Sequence, residues 1–203
     1  MTSTKQLNKI TLKGSAAIVS EFFFYGINNI LYQRGVYPPE MFKQEKKYGL
    51  TILTTTDPSL LTYLNDNVLP QLTEWLERGV VKRLVVVIRE CETNETLERW
   101  QFEIECMGDD KENSNPREKD INVINAEIKA VIRQITATVT FLPLLEVPCS
   151  FDLLFYTNQD LEAPEQWEDS SACLIANSEQ VKLRSFSTSR HKVDGAVSYK
   201  FSM

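Results

Sequence analysis

From Ser15 onward the apolar residues Ile18, Val19, Phe22, Phe23, Ile27, Ile30 and Leu31 recur at steps of three and four, the spacing of one helix face. Gly35 and the pair Pro38 and Pro39 stop that helix. The short apolar run Tyr48 to Thr54 predicts a strand. Asp57 followed by Pro58 is a cap and first-turn signal, and Leu61, Leu64, Val68, Leu72, Trp75 and Leu76 carry a second helix to Gly79. Pro70 lies inside it and predicts a kink, because proline has no N–H to give the preceding turn.

Val80 to Ile88 is apolar and β-branched, hence a strand, and Glu92 to Glu95 supplies the turn into a second strand, Leu97 to Cys106. There Trp100, Phe102, Ile104 and Cys106 alternate with Gln101, Glu103 and Glu105, so one face is buried and the other wet. Gly108 to Asn115 reads as a polar, mobile loop. Asn115, Pro116 and Glu118 predict cap, first-turn proline and capping-box partner of a third helix. Ile121, Ile124, Ile128, Val131, Ile135, Val139 and Leu142 give it the strongest stripe in the chain, ended by Pro143. Strands follow at Cys149 to Thr157, Val181 to Thr188 and Ala196 to Phe201. Three helices against a mainly antiparallel sheet is an α+β architecture. Because the strong stripes precede Gln159, the core is expected to stand without the tail.

The chain has 203 residues, 42% hydrophobic and 25% charged, enough for one globular domain with an ample core. Its 22 basic and 28 acidic residues give a net charge of −6, which argues against a nucleic-acid partner. Leu84 to Ile88 and Phe141 to Leu145, the longest apolar stretches, fall far short of the roughly 20 residues a membrane span needs. Met1 to Gln6 is polar, so no secretory leader is read and an intracellular protein is expected. Cys91, Cys106, Cys149 and Cys173 have no CxxC spacing and read as buried free thiols. Glu146 to Gln180 holds eight acids and no base, while Val181 to Met203 holds five bases and one acid. Either two solvated surfaces or a clasp of one segment on the other would fit.

Candidate chemistry is sparse. None of the seven glycines forms GxGxxG or GxxxxGK[ST], so no phosphate cradle can be built. The single His191 stands between Arg190 and Lys192 and reads as a surface or loop residue, which leaves a triad or metal cluster short of members. The carboxylate pairs Asp109 and Asp110, and Glu103 and Glu105, have nothing to desolvate them. A hydrolase would need a clustered nucleophile and base that are absent from the pattern. The Ser- and Thr-rich tail strands suggest instead a sheet edge that another chain could join, and so a binding module without cofactor or metal.

Four blocks sharpen this reading: GSAAIVSEFFFYGINNILYQRGVYP from Gly14, ERWQFEIEC from Glu98, VIRQITATVTFLPLLEVPCSFDLLFYT from Val131 and LRSFSTSRHKV from Leu183. In this order they closely resemble the HORMA-domain spindle assembly checkpoint family, mitotic arrest deficient two, from about Ile10 to Phe201. Pro70, the loop 108–115 and the stretch 170–177 depart from the family pattern. The resemblance implies a single HORMA-like domain over 1–203, with a mobile N-terminal segment 1–13, a core 14–158 and a mobile seat belt 159–203. It implies no catalysis and two native folds. In the open one the C-terminal strands cover Cys149 to Thr157. In the closed one they move to the other side of the sheet and strap a partner peptide in place as an added strand. The implied partners are a coiled-coil kinetochore scaffold, the co-activator of the anaphase-promoting ubiquitin ligase, a second copy in the opposite conformer, and an AAA-type ATPase with its adaptor that reopens the closed form. Sequestering the co-activator would delay anaphase, in the nucleus, at kinetochores and in the cytoplasm. A meiotic chromosome-axis protein or the accessory subunit of a translesion polymerase is the alternative within the fold. The tail ending at Met203, without a closure motif of its own, speaks against the axis type.

Pattern alone places Arg133 and Gln134 on the solvent side of the third helix, away from Ile128, Val131 and Ile135. The resemblance assigns them, with Phe141 and Arg184, to the contact between open and closed copies. Trp75 reads as core from its helix face, and by resemblance also shapes the peptide side. Leu153, Phe155 and Trp167 stand between packing and peptide contact. Leu153 and Phe155 share a strand face with Phe151, leaving pairing to the backbone at the edge. Leu12 is the expected pin of the open state.

Overall fold

A computed structural model describes residues 10–107, 118–158, 164–165 and 167–200. Helix α1 (Leu12–Gln33) begins on Thr11, whose side chain accepts from the Gly14 N–H, so Leu12 and Lys13 already belong to its first turn. It ends at Arg34, with Gly35 at φ +64° taking the left-handed conformation that glycine tolerates. Strands β1 (Phe42–Lys47) and β2 (Leu50–Thr55) form an antiparallel hairpin. The sequence expectation missed β1, a polar strand, and began β2 too early. Tyr48 and Gly49 instead make the two-residue turn, both at positive φ, as tight hairpins require.

The second helix is one run in three pieces: α2 (Pro58–Thr62), a π-helical stretch Tyr63–Val68, and α3 (Leu69–Glu77). Asp57 caps it through the Leu60 N–H. The expected irregularity at Pro70 takes the form of that widened turn just before the proline, which admits the extra residue without leaving a donor stranded.

Strands β3 (Val81–Glu90) and β4 (Thr96–Cys106) form the central hairpin as expected. Helix α4 (Ile121–Thr138) starts later than the sequence suggested. Asp120 is its cap, through the Asn122 N–H, while Asn115 and Pro116 lie outside the described residues and Glu118, the expected capping-box partner, precedes the helix. It ends at Thr138, and a 3-10 turn over Val139–Phe141 leads toward Pro143. The loop 108–115 lies outside the described residues.

Strands β5 (Cys149–Thr157), β6 (Ser178–Ser187) and β7 (His191–Lys200) complete a five-stranded sheet in the order β5-β3-β4-β7-β6, every pairing antiparallel. The C-terminal hairpin therefore pairs with β4, on the edge opposite β5. Helices cover one face, where Phe22, Phe23, Ile30, Leu72, Val86, Trp100, Phe102, Ile128 and Ile135 form the main core. The tail is part of it: Leu183, Phe186, Val193, Val197 and Tyr199 are all buried there. This corrects the expectation of a core that is complete before Gln159.

Three further expectations change. His191 is 1% exposed rather than a surface residue. All four cysteines are free, but Cys91 is exposed and the others only half-buried. Of the two readings of the charge asymmetry, the pairs seen among the described residues do not form the clasp: Lys200 pairs with Glu95 and Lys192 with Asp194.

Candidate functional site

The site is built on β5, which the sheet order leaves with one neighbour. It pairs with β3 from Glu90↔Cys149 to Val81↔Thr157, and among the described residues no strand pairs with its other side. In an antiparallel edge strand alternate N–H and C=O groups point outward, so β5 offers a row of backbone donors and acceptors to an extended chain.

Side-chain alternation gives this edge two unlike faces. Phe151, Leu153 and Phe155 turn toward the helices, with Leu153 buried in the main core. Leu154 turns to the other face, where it clusters with Val85 and Val87. On the helix side Trp75 of α3, Phe155 and Trp167 form an aromatic trio. Ring centroids lie 5.6 Å apart for Trp75 and Phe155, 5.3 Å for Trp75 and Trp167 and 5.0 Å for Phe155 and Trp167, at tilted or edge-on angles. The four residues that the sequence reading left between packing and contact thus converge on one end of β5.

The chain then crosses the edge. Trp167 packs on the helix side, while Cys173 packs on the opposite face against the Val85, Val87 and Leu154 cluster. Residues 167–173 must pass across the outer edge of β5 to connect them. The Trp167 N–H bonds the Pro164 carbonyl at 2.8 Å. At the far end Arg89 donates to Cys173 Sγ at 2.8 Å and pairs with Asp152 at 3.2 Å, tying strap to sheet. Between strap and edge runs a groove of about 360 Å³, lined by Trp75, Leu153 to Asn158 and Trp167 to Ser171. Its walls are apolar at the aromatic trio and acidic at Glu168 and Asp169.

The residues assigned by resemblance to self-association lie on the opposite flank. Arg133 is exposed on α4 as expected, and Arg184 is exposed on β6. Gln134 is not a free solvent-facing residue: half-buried, it accepts from the Arg184 N–H and donates to the Lys182 carbonyl at 3.3 Å. Phe141, two turns on, is 75% exposed. Leu12, 37% exposed at the start of α1, is not among the core residues in this arrangement.

Two buried polar clusters escaped the sequence reading. His191 Nε2 lies 3.1 Å from the Leu76 carbonyl and Nδ1 2.6 Å from Ser15 Oγ, with Thr188 Oγ1 2.5 Å from that same hydroxyl. A carbonyl only accepts, so Nε2 carries the hydrogen and Nδ1 accepts from Ser15. The ring is a neutral tie between α1, α3 and the β6–β7 turn, and burial holds its pKa below the usual 6.5. The alternation His191, Val193, Gly195, Val197, Tyr199 carried the signal, since those five are the buried positions of β7. Arg34 forms the other cluster, a buried ion pair with Glu98. Its Nε donates to Glu98 Oε2 at 3.1 Å and its Nη2 to the Pro143 carbonyl at 2.6 Å, while Trp100 Nε1 donates to Glu98 at 3.1 Å. These contacts pin the end of α1, β4 and the approach to β5 together. No group of acids, histidines and cysteines suited to a metal ion occurs among the described residues.

The comparisons agree with this geometry. Residues 15–191 match the HORMA domain model. The mitotic spindle assembly checkpoint protein MAD2A of Mus musculus is 62% identical over 191 residues, covering 94% of this chain and 93% of the mouse protein, and that of Homo sapiens is 61% identical with the same coverage. A chain in the crystal structure of the Mitotic Checkpoint Complex superposes with a TM-score of 0.82 at 45% identity, covering 93% of this chain and 99% of that one. The chain belongs to the HORMA-domain family, in its mitotic spindle checkpoint MAD2 branch.

Proposed function

We propose that this chain is a spindle checkpoint protein that traps a segment of a partner as an added strand on β5, and that the present arrangement is its closed form. The observation that carries this is the pairing of a bare edge with a strap that crosses in front of it. Strand addition supplies affinity through main-chain hydrogen bonds, and the Trp75, Phe155 and Trp167 pocket supplies selectivity for an apolar side chain. With residues 167–173 across the groove and the hairpin anchored on β4, a peptide cannot simply lift off. It must thread, or the hairpin must first leave. The open form is the one in which the hairpin covers β5 and Leu12 finds a packing site, with the tail from Gln159 onward as the moving part. By family the trapped segments belong to the coiled-coil kinetochore scaffold and to the anaphase-promoting-complex co-activator, whose sequestration delays anaphase during mitosis. An open copy meets a closed one through Arg133, Gln134, Phe141 and Arg184, and an AAA-type ATPase with its adaptor reopens the closed form. The family is one of checkpoint regulators, not enzymes.

The test is amide hydrogen exchange with and without a labelled peptide carrying the scaffold's closure segment. New protection should appear along Cys149 to Thr157 and not along β6, and the label should leave over minutes or longer. Protection on β6, or release within seconds, would overturn the reading.

A further inference from the structure

The sheet has a second edge, and it is not bare. Strand β6 pairs with β7 on one side, and on the other it lies against α4. Three of its backbone groups on that side are taken by two α4 side chains. Gln134 accepts from the Arg184 N–H and donates to the Lys182 carbonyl at 3.3 Å, and Glu127 Oε2 accepts from the Ser187 N–H at 3.0 Å. Lys119 completes the second grip, with Nζ 2.6 and 2.7 Å from the Glu127 carboxylate oxygens and 2.9 Å from Ser187 Oγ.

The spacing explains why one helix can do this. Glu127 and Gln134 are seven residues apart, two turns of the same face, which is a rise of about 10.5 Å at 1.5 Å per residue. Arg184 and Ser187 are three residues apart on a strand, about 10 Å at 3.3 Å per residue. In a regular strand two N–H groups separated by three residues point to opposite edges. Here the β6–β7 register slips between Lys182↔Ala196 and Ser185↔Asp194, three steps against two, and that bulge turns both N–H groups to the helix.

We propose that Glu127 and Gln134 form a latch on the outer edge of β6 that holds the C-terminal hairpin on the β4 side, which makes them positioning residues for peptide trapping. The inference rests on the trapping function proposed above. The latch bonds exist only while the hairpin lies against α4, so they bias the equilibrium between hairpin positions instead of stabilising both alike. They also blunt the other edge of the five-stranded sheet, which could compete with β5 for an extended chain. Gln134 thus carries this intramolecular role in addition to the self-association contact proposed above, while the side chain of its neighbour Arg133 stays exposed.

The test compares wild type with Gln134→Ala, Glu127→Ala, Gln134→Glu and Glu127→Gln by residue-resolved hydrogen exchange of the free protein and by release of the labelled peptide. Gln134→Ala should speed exchange at Arg184, and Glu127→Ala at Ser187, each by about tenfold, the loss of one or two net hydrogen bonds. Peptide release should quicken by a similar factor, with α1 and β3 protection unchanged. Gln134→Glu keeps the acceptor for Arg184 and should restore that amide's protection. Should Glu127→Ala not fold, Glu127→Gln, which keeps the acceptor without the charge for Lys119, takes its place. Unchanged exchange at Arg184 and Ser187 overturns the latch, and faster exchange with unchanged peptide release overturns its positioning role. If wild type captures no peptide, the trapping function falls and the positioning role with it, while the free-protein exchange still decides whether the latch exists.

Discussion

His191 illustrates how one residue can tie the C-terminal hairpin to the helices. Its neutral ring donates to Leu76 of α3 and accepts from Ser15 of α1, and it belongs to the first position of β7. Protonation at Nδ1 would put two donors, the ring N–H and the Ser15 hydroxyl, face to face in a desolvated site. The folded-state pKa is lowered below 6.5, so as pH falls through about 6.5 the unfolded chain takes up a proton that the folded one refuses. Stability is then full above that value and declines below it, with a slope of at most about 1.4 kcal/mol per pH unit from this group. Urea unfolding of wild type and His191→Gln between pH 5.5 and 8 isolates the contribution. The difference in slope between the two proteins should lie below about pH 6.5 and vanish above it, and parallel curves throughout would remove His191 from the account.

At the scale of the element, the C-terminal hairpin fits its place by close approach as much as by pairing. A Cβ at Gly195 would stand 3.1 Å from both Leu183 Cδ1 and Phe102 Cε1. β7 alternates strictly between buried and half-buried positions, so Gly195 cannot turn its missing side chain to solvent without turning the others with it. Gly195→Val should therefore cost about 1 to 3 kcal/mol through overpacking. Phe102 belongs to β4 and Leu183 to β6, so the strain falls both on the seam with β4 and within the hairpin, and the visible effect should be a loss of hairpin protection with β3 and β4 still paired. A uniform loss of protection across the sheet would show that hairpin and core come apart together.

At the scale of the whole molecule, the same tail that would move also fills the core. Removing everything after Gln159 takes away Leu183, Phe186, Val193, Val197 and Tyr199 and uncovers Phe22, whose ring packs tilted against Phe186 with centroids 4.6 Å apart, and Phe102 beside it. Each large side chain lost from a core costs about 2 to 5 kcal/mol, and several together exceed the 5 to 15 kcal/mol typical of a domain. The truncated chain should bind no peptide and show no cooperative thermal transition. A cooperative transition near the wild-type temperature would mean that the helices and central hairpin form a unit of their own. Arg133→Glu makes the opposite case. An exposed substitution of this kind changes stability by less than about 0.5 kcal/mol. It reverses a charge on the flank assigned to self-association, far from the β5 groove. Sedimentation should show monomers while peptide affinity stays near wild type, and joint loss of both would return Arg133 to a structural role.

Periodicity in the sequence located most of the elements, because helix faces and strand alternation are local. The stripes of α1 and α4, the β3–β4 hairpin and the capped start at Asp57 all stand where they were read. The resemblance of long blocks added the family and singled out Trp75, Leu153, Phe155 and Trp167, which the fold brings to one edge. Sequence pattern could not say which edge the tail would choose, since the alternation of β6 and β7 serves equally well beside β4 or β5. That choice depends on contacts between residues far apart in the chain: Ser15 with His191, Glu127 with Ser187, Gly195 against Phe102. The polar strand β1 and the later start of α4 were hidden for the same reason, as each is fixed by a partner or a cap and not by its own apolar spacing. The bare edge of β5 and the strap across it exist only once the tail has been placed, and with them the site.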